Sequence, residues 1–530
     1  MRNKIATFLT EAFKWIFFAL MTAMFICGFF VTGIHQKFEN GGIDEFVIIG
    51  KNNLGISALM VIAGIALAWG VFKLGDILTS DKAKHKLNMN VFAGIVCAVS
   101  FILAVVWINI LKVVPGADQE FCVNYADAMN NGDFTCLEQG QYLANYPHLL
   151  GLIAFLRLLF KIFGESNYDT FRYFNAICIP IMIYAGYRIV KKFTDDDGKT
   201  EFFYLLAMLF NIPVYAYVLY IYGDLGGPAL GIAGFWFFYQ CLDKLSPKNI
   251  AGFVLFTIAS VTIRKNMLIF AIAMIVVLIV RLIAKVTRKD LILLAIVAVT
   301  TLFSIKYVEW LYLPERPTTE YAVPAICNIT MGLNDDKGYA GWYNYYELVV
   351  MGDNGWDPEA ASAESMEAIK NVYIPLFLHN PGYTADFFFR KINSQWQVPL
   401  YQSIVSNILL YGPQNDFVMS VYFGTWNRIF DWFMKIYQMA MYFFIAYLLF
   451  ASRKDKERKS IEYYAMLIAA FGGFLLSCVW ESKARYIFPY FIIMIPFMAF
   501  GAKLMYERLK IRIRATIEKN SDFTNKKEDK

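Results

Sequence analysis

Long apolar segments recur along the whole chain and are separated by short polar or charged stretches. An α-helix needs about 20 mostly apolar residues to cross a lipid bilayer, and most of these segments approach that length. The pattern therefore predicts an all-α integral membrane protein with about 12 transmembrane helices. The predicted spans are residues 12–32, 54–72, 91–113, 171–190, 202–220, 226–241, a hairpin of two short spans within 249–280, 290–308, 431–451, 461–479 and 487–505.

Lysine and arginine are concentrated in alternate loops, and this pattern predicts the orientation of the chain. Loops that carry these residues usually face the cytoplasm. Both termini are then cytoplasmic, and the lysine-rich composition with 4 histidines favours a bacterial plasma membrane. The basic groups are Arg2 and Lys4; Lys73, Lys82, Lys84 and Lys86; Arg188, Lys191 and Lys192; Arg453, Lys454, Lys456, Arg458 and Lys459; and the tail from Lys503.

The first external loop is predicted to hold an amphipathic helix that does not cross the membrane. Residues 114–145 are polar, acidic and rich in turn formers, and the apolar segment 146–164 follows. If that segment crossed, every later basic cluster would lie outside the cell, against the positive-inside bias. We therefore expect 146–164 to lie along the outer interface.

Composition adds few further constraints. The chain is 58% hydrophobic and 17% charged, and its net charge of +6 is concentrated in short loops and the tail. This charge sets the topology in a lipid bilayer and does not indicate a nucleic-acid partner. The 8 cysteines show no metal-binding spacing. Cys122 and Cys136 share the first external loop, either as a disulfide or as two unrelated thiols.

We divide the chain into four parts. Residues 1–90 hold two N-terminal spans. Residues 91–308 form a transmembrane core with the external loop 114–170. Residues 309–430 form a large, mixed external loop, in which Asp357 is expected to start a helix. Residues 431–530 hold the last spans and the basic tail.

Charged residues collect where predicted spans meet the outer surface. A catalyst that acts on a lipid-linked substrate needs ionisable groups at that depth, whereas a proton-coupled transporter holds them near the midplane. Each one taken alone is better explained as an ordinary solvated loop residue or a side chain that extends to the interface, and only the set on one face favours a catalytic site. The set comprises Asp118, Glu120, Arg172, Asp224, Arg264, Lys265, Glu481 and Arg485.

Two roles follow for members of this set. Asp118 follows a span closely and suits a general base for a hydroxyl, although the sequence does not separate it from Glu120 or Asp127. Arg264 and Lys265 suit a lipid-linked phosphate at headgroup depth, and Arg485 invites the same argument. The alternative for these cations is a plain interfacial anchor.

Several sequence elements resemble the GT-C superfamily, polytopic glycosyltransferases that use polyprenyl-phosphate sugars. They include the protein-O-mannosyltransferase-like enzymes and bacterial cell-envelope glycosyltransferases. The resemblance implies a GT-C-like arrangement of helices, with Asp118 as the catalytic base and a Tyr-Pro element, Tyr146-Pro147, on an interfacial helix. Two spans precede the span that carries the catalytic loop here, and Gln119 replaces the usual second acidic residue, with Glu120 one place further on. The matching elements are residues 115–120, 126–133, 142–151, 163–175, 331–344, 391–396 and 481–489.

The resemblance implies an inverting transfer of a sugar from a polyprenyl-phosphate donor to a glycan or glycopolymer acceptor at the outer face. Catalysis falls to Asp118 or Glu120, and the donor phosphate to Arg264, Lys265 and Arg485. The resemblance fixes no cofactor, and a divalent cation is left open. The rival interpretations are a lipid-linked-sugar flippase and a polysaccharide polymerase or ligase. The candidate substrate-binding residues are Tyr146, His148, Arg172, Asp224, Trp342, Asn344, Lys391, Trp396, Glu481 and Tyr486.

Overall fold

The structure is a computed structural model. It describes residues 2–37, 43–80, 86–111, 113–312, 314, 320–336, 338–404, 408–410, 414–452 and 460–528. Two of the predicted basic groups lie partly or wholly outside these ranges. Lys82, Lys84 and the group Arg453, Lys454, Lys456, Arg458 and Lys459 lie outside the described residues.

The described part of the chain is dominated by α-helices, with three short antiparallel strand pairs. The pairs are β1 (Val31–Lys37) with β2 (Ile43–Lys51), β3 (Val113–Pro115) with β6 (Ile408–Leu410), and β4 (Asp335–Asp336) with β5 (Tyr339–Ala340). The helices are α1 (Arg2–Phe30), α2 (Leu54–Thr79), α3 (Met89–Ile110), α4 (Asp118–Asn130), α5 (Tyr142–Asn145), α6 (Leu150–Phe163), α7 (Asp169–Thr194), α8 (Gly198–Leu209), α9 (Ile212–Ala216), α10 (Gly226–Asp243), α11 (Pro247–Ile263), α12 (Leu268–Ala284), α13 (Arg288–Tyr312), α14 (Ala325–Gly332), α15 (Tyr346–Asp353), α16 (Pro358–Ala368), α17 (Ile374–His379), α18 (Pro381–Trp396), α19 (Asp416–Phe423), α20 (Thr425–Ala451), α21 (Ala465–Val479) and α22 (Phe488–Glu528).

The all-α membrane class predicted from the sequence is confirmed. Within the described ranges, 9 helices are long and apolar enough to cross a membrane, or 10 if a pair bent by 47° between α8 and α9 is one span. The remaining predicted spans fall on α10 and on α11, an apolar helix of 17 residues. The total of about 12 crossings stays a prediction.

Several helices begin where local sequence signals place them. Asn53 accepts a hydrogen bond from the Ile56 amide at the start of α2. The Asp357 side chain likewise accepts a hydrogen bond from the Glu359 amide at the start of α16, so the helix start predicted at Asp357 is confirmed. Short side chains with an oxygen satisfy amides that have no partner within the helix, and this stabilises a helix by about 1 kcal/mol.

Residues 114–170, predicted to form the first external loop, leave and re-enter the helical bundle at the same end. Arg172, in the first turn of α7, donates to the Val113 carbonyl, which lies just past the end of α3, at 3.0 Å. At the other end of the pair, the Tyr187 hydroxyl donates to Asn90 at 2.9 Å. The helices α3 and α7 are therefore antiparallel neighbours. The segment between them, including α6, returns to its starting level as predicted.

The β1–β2 hairpin, the first loop and the later turns meet at this same end. Lys483, in the turn before α22, pairs with Glu45 of β2 at 3.2 Å. Arg485 of the same turn pairs with Asp118 at 3.3 Å. The sequence places these groups hundreds of residues apart, so the bundle rather than local structure brings them together. We call this end of the bundle the loop end.

Candidate active site

A cavity of about 760 Å³ opens at the loop end. Six segments contribute to its wall: residues 114–170, strand β2, the turn before α10, the turn between α11 and α12, the end of α13 with the start of the large loop, and the turn before α22. Polar and aromatic side chains dominate its wall. The side chains used below are Glu45, Asp118, Tyr142, Tyr146, His148, Tyr222, Arg264, Lys265, Glu309, Tyr343, Tyr345, Glu347, Glu481, Lys483 and Tyr486.

Asp118 is the first residue of α4 and faces the cavity. Its Oδ2 lies 3.3 Å from Nη2 of Arg485, which is almost completely buried behind it. Gln119 turns the other way, and its Oε1 accepts a hydrogen bond from the Ile221 amide at 2.6 Å. The position next to Asp118 therefore anchors the turn before α10, which gives a physical reason for an uncharged amide there.

The two other candidate bases lie elsewhere on α4. Glu120 is exposed to solvent and does not line the cavity. Asp127 accepts from the Ser166 amide at 3.0 Å and contacts the Ser166 hydroxyl, so it ties the end of α6 to α4. Geometry therefore favours Asp118 among the three candidates that the sequence did not separate.

Arg264 reaches the cavity wall but is already paired. It lies 3.0 Å from Oδ1 of Asp224, which is fully buried, and donates to the Tyr222 carbonyl at 2.9 Å. Its guanidinium also lies over the rings of Tyr222 and Tyr486, at 5.3 and 5.6 Å. Asp224 thus holds Arg264 in place and does not itself line the cavity, so we no longer assign it a substrate contact.

Arg485 lies over the same two aromatic rings as Arg264. Its guanidinium is 4.9 Å from the Tyr222 ring and 5.4 Å from the Tyr486 ring. Among the described residues its Nε and Nη1 have no hydrogen-bond partner, and the side chain does not line the cavity. The structure therefore does not place Arg485 in contact with a donor phosphate. Instead, Arg485 pairs with Asp118 from the buried side of the cavity wall.

Lys265 is the cation with most freedom to meet a ligand. It lines the cavity with 34% of its side chain exposed, and its ion pair with Glu309 is long, at 3.9 Å. Glu309 is also held by Lys306 at 2.8 Å. A partly solvated ammonium with a weak protein partner can exchange that partner for a phosphate at small cost.

The Tyr-Pro element, Tyr146-Pro147, also lines the cavity. The Tyr146 hydroxyl donates to Oε1 of Glu347 at 2.7 Å, and burial next to that carboxylate raises the pKa of Tyr146. His148 is exposed to the open space of the cavity, but the protein walls around that space enclose it. This burial and the cations Lys265 and Arg264 lower its pKa to about 4. The ring is therefore neutral near pH 7.

The turn before α22 adds an ionic cluster to the rim. Lys483 pairs with both Glu481 and Glu45 at 3.2 Å, and the Tyr486 hydroxyl donates to Glu481 at 2.9 Å. Burial opposes the charge of Lys483, but the two glutamates outweigh this effect and raise its pKa. Glu481 and Tyr486, both predicted from sequence, reach the cavity, whereas Glu45 and Lys483 were not predicted.

Apart from Asp224, four predicted substrate residues lie away from the cavity, and the structure gives each a structural role instead. Arg172 pairs with Asp169 at 2.7 Å. Asn344 caps α15 by accepting from the Tyr346 amide at 3.1 Å. Trp342 packs in a small core with Val47 and Val398. Trp396 is in the main core, and its ring nitrogen donates to Ser477 at 3.0 Å.

Lys391, a fifth predicted substrate residue, is also structural. It is fully buried, and its Nζ donates to the carbonyls of Gly332 and Trp480 at 2.7 Å and to Ser482 at 3.2 Å. Burial lowers its pKa to about 7. The backbone of Gly341, with φ of +71°, passes so close that an added Cβ would lie 2.1 Å from Nζ. Lys391 therefore joins the large loop to the turn before α22.

This role predicts a stability effect for Lys391→Met. The substitution removes three hydrogen bonds and leaves two buried carbonyls without donors, which costs about 2–4 kcal/mol of unfolding free energy. We expect a clearly lower Tm for the purified protein in detergent, with Lys370→Met on the exposed face of the same loop as the matched control. An unchanged Tm for Lys391→Met would contradict the structural role.

Sequence reasoning missed several residues of the cavity wall. Tyr142, Tyr222, Tyr343, Tyr345 and Glu347 all line it. Tyr343, Tyr345 and Glu347 lie within or beside a segment that was singled out only for Trp342 and Asn344. Aromatic and acidic residues at alternating positions there were the available signal. Nothing local marks Tyr222, which lies in the turn before α10 and faces the site only through the packing of the bundle.

No cofactor or metal centre is assembled at the site. Within the described ranges, no group of three or more His, Cys, Asp or Glu side chains is placed to hold a metal ion. Asp118 has Arg485 as its neighbour, so the local donor set does not suit a divalent cation. Cys122 and Cys136 are both free thiols.

Comparison with known proteins does not assign a family. No family model matches the sequence, and no curated protein matches it. Among solved structures, the chain is similar to the archaeal oligosaccharyltransferase AglB from Archaeoglobus fulgidus, solved with an inhibitory peptide and a dolichol-phosphate. The TM-score is 0.42 and the identity 15%, covering 80% of this chain and 51% of that chain. This chain thus spans about half the length of that structure, and similarity at this level identifies no activity.

Proposed function

We propose that the protein is an inverting glycosyltransferase of the GT-C type. It transfers a sugar from a polyprenyl-phosphate donor to a glycan or glycopolymer acceptor at the outer face of the plasma membrane. One observation carries this proposal. Asp118 and Lys265 come from loops far apart in the chain and line the same cavity at the loop end, and Arg485 holds Asp118 from behind.

The proposed step uses Asp118 as the base and Lys265 as the cation at the leaving phosphate. An acceptor hydroxyl attacks the anomeric carbon of the donor sugar, and its proton passes to Asp118. The bond from the anomeric carbon to the phosphate oxygen breaks with its electron pair on the phosphate. Lys265, with Arg264 beside it, stabilises the charge on the departing polyprenyl phosphate. Attack from the face opposite the leaving group inverts the anomeric configuration.

The neutral histidine of the cavity suits this scheme. His148 lies in the Tyr-Pro segment and lines the cavity together with Arg264 and Lys265. A neutral ring can donate or accept a hydrogen bond with a sugar hydroxyl and does not compete for the phosphate. The phosphate is therefore left to the cations, and we propose that His148 helps to orient the sugar.

The phosphate role predicts the effect of changing Lys265. Lys265→Ala is expected to lower the catalytic efficiency for the lipid-linked donor by about 10- to 100-fold, because a cation at the leaving group is lost. Lys265→Arg should keep most of it. Lys306→Ala is the matched control, since Lys306 also pairs with Glu309 but does not line the cavity. Equal activity of Lys265→Ala and Lys306→Ala would contradict the role.

A direct assay separates the proposal from its rivals. The purified full chain in nanodiscs is supplied with sugars linked to a polyprenyl monophosphate or diphosphate, together with envelope glycan fragments. The proposal expects free polyprenyl monophosphate and a glycosylated fragment in equal amounts. Release of polyprenyl diphosphate from a diphosphate-linked sugar would indicate a polymerase or ligase. In sealed proteoliposomes, which separate the two faces of the bilayer, movement of the intact donor across the bilayer without bond cleavage would indicate a flippase.

A further inference from the structure

The wall of the cavity formed by the large loop has features of a carbohydrate subsite. Tyr345 is 62% exposed and lines the cavity. Its φ is +65°, in the left-handed region that a bulky residue rarely adopts and that costs of order 1–3 kcal/mol. This backbone directs an exposed aromatic ring into the cavity, and the Tyr343 ring packs edge-on against it at 4.7 Å.

A buried carboxylate lies two residues further along the chain. Glu347 is 1% exposed and lines the cavity, and its Oε1 accepts from the Tyr146 hydroxyl at 2.7 Å. Its second oxygen, Oε2, is buried with no hydrogen bond of good geometry in the described part of the chain. The Tyr343 side chain and the Glu347 amide also interact with this carboxylate. Because Oε2 is buried without a hydrogen bond of good geometry, a ligand hydroxyl in the cavity can supply a better donor.

Packed aromatic rings link this carboxylate to the catalytic side of the cavity. The ring centroids of Tyr146 and Tyr142 are 4.9 Å apart, and those of Tyr142 and Phe121 are also 4.9 Å apart. Phe121 lies in α4, the helix that begins with Asp118. The Tyr142 hydroxyl also bonds that of Tyr222 at 3.2 Å. This side of the cavity is thus a continuous wall, with the carboxylate at one end and the proposed base at the other.

From this arrangement we propose that Tyr345 and Glu347 form the subsite for the acceptor, and that the acceptor is a carbohydrate. The Tyr345 ring packs against the apolar face of a sugar ring, and Oε2 of Glu347 accepts a hydrogen bond from one of its hydroxyls. Glu347 and Tyr345 are specificity residues and not catalytic ones. This inference rests on the proposed glycosyltransferase function, because it assigns the second substrate of the same cavity.

Photo-crosslinking in cells tests the subsite without knowledge of the acceptor. The probe is p-azidophenylalanine placed at position 345 of the full chain, and the control is the same probe at Val349, which is exposed on α15 but does not line the cavity. We expect an adduct at 345 that periodate destroys, since periodate cleaves vicinal diols of sugars. Mild acid should leave it intact, because mild acid releases a sugar held on a lipid phosphate.

The same adduct should depend on Glu347. Glu347→Gln in the probe background is expected to reduce it about tenfold, because a hydrogen bond to a charged group is lost. Glu364→Gln, on an exposed acid of the same loop, should leave it unchanged. No adduct, an acid-labile adduct, a periodate-resistant adduct, or equal labelling at 349 would each overturn the subsite.

The experiment also distinguishes failure of the subsite from failure of the proposed function. Binding of the acceptor does not require transfer, so the periodate-sensitive adduct should persist in an Asp118→Asn background. If the adduct forms but the wild type transfers no sugar from any lipid phosphate, the transferase proposal falls and the carbohydrate site stands. If transfer is observed and the adduct is absent, the subsite alone falls.

Discussion

Asp118→Asn is expected to abolish sugar transfer while the protein still folds. The amide keeps the size of the carboxylate but cannot accept a proton at neutral pH. Removing a positioned general base lowers the rate by about a thousandfold. The measurement is turnover of a lipid-phosphate sugar by purified protein in nanodiscs, together with the Tm and the amount of protein in the membrane.

Glu120→Gln is the matched control for this prediction. It removes the same charge from the same helix, two residues away, at a position that faces solvent. We expect transfer close to that of the wild type. Near-normal transfer by Asp118→Asn, or an equal loss in the two variants, would remove Asp118 from its role as the base.

Arg485→Met is expected to cost both stability and activity. The guanidinium is buried, pairs with Asp118 at 3.3 Å and lies over the rings of Tyr222 and Tyr486. The charge left behind, Asp118, has 27% of its side chain exposed, so the cost is smaller than for a fully buried pair, about 1–3 kcal/mol. Loss of the contact that orients Asp118 should lower turnover by about a hundredfold. Tm and turnover of the purified variant measure the two effects.

The double variant Asp118→Asn with Arg485→Met shows how Arg485 acts. If the arginine works through Asp118, the double variant is no slower than Asp118→Asn alone, since effects of residues that act as a unit do not add. It should also recover part of the Tm lost in Arg485→Met, because neither charge is then left unpaired. A double variant much slower than Asp118→Asn would instead indicate direct contact between Arg485 and a substrate.

The elements of the fold were predictable because they depend on local signals. Apolar length places the long helices, the positive-inside bias predicts the return of the first loop, and a proline after an aspartate marks the start of α16. The turn at Arg264 was predicted from charge within an apolar run. The total of about 12 crossings was not settled, because α10 and α11 are short or rich in glycine and depend on their neighbours.

The site was predictable only in part, because most of its wall is made by tertiary contacts. Charge at the ends of spans identified Asp118, Arg264 and Lys265, which line the cavity. The family resemblance of residues 391–396 assigned Lys391 to a substrate, although it satisfies backbone carbonyls in the core. Sequence does not show whether a charge meets a ligand or a carbonyl, since that depends on which backbone groups the fold leaves unsatisfied.

A structure of the full chain in nanodiscs with bound polyprenyl phosphate tests the central claim most directly. We expect the phosphate to lie inside the cavity, with one oxygen about 3 Å from Nζ of Lys265. The lipid chain should extend from there toward the bilayer. The Asp118 carboxylate would then face the sugar position next to that phosphate. A phosphate bound outside this cavity, or at the opposite end of the bundle, would contradict the account.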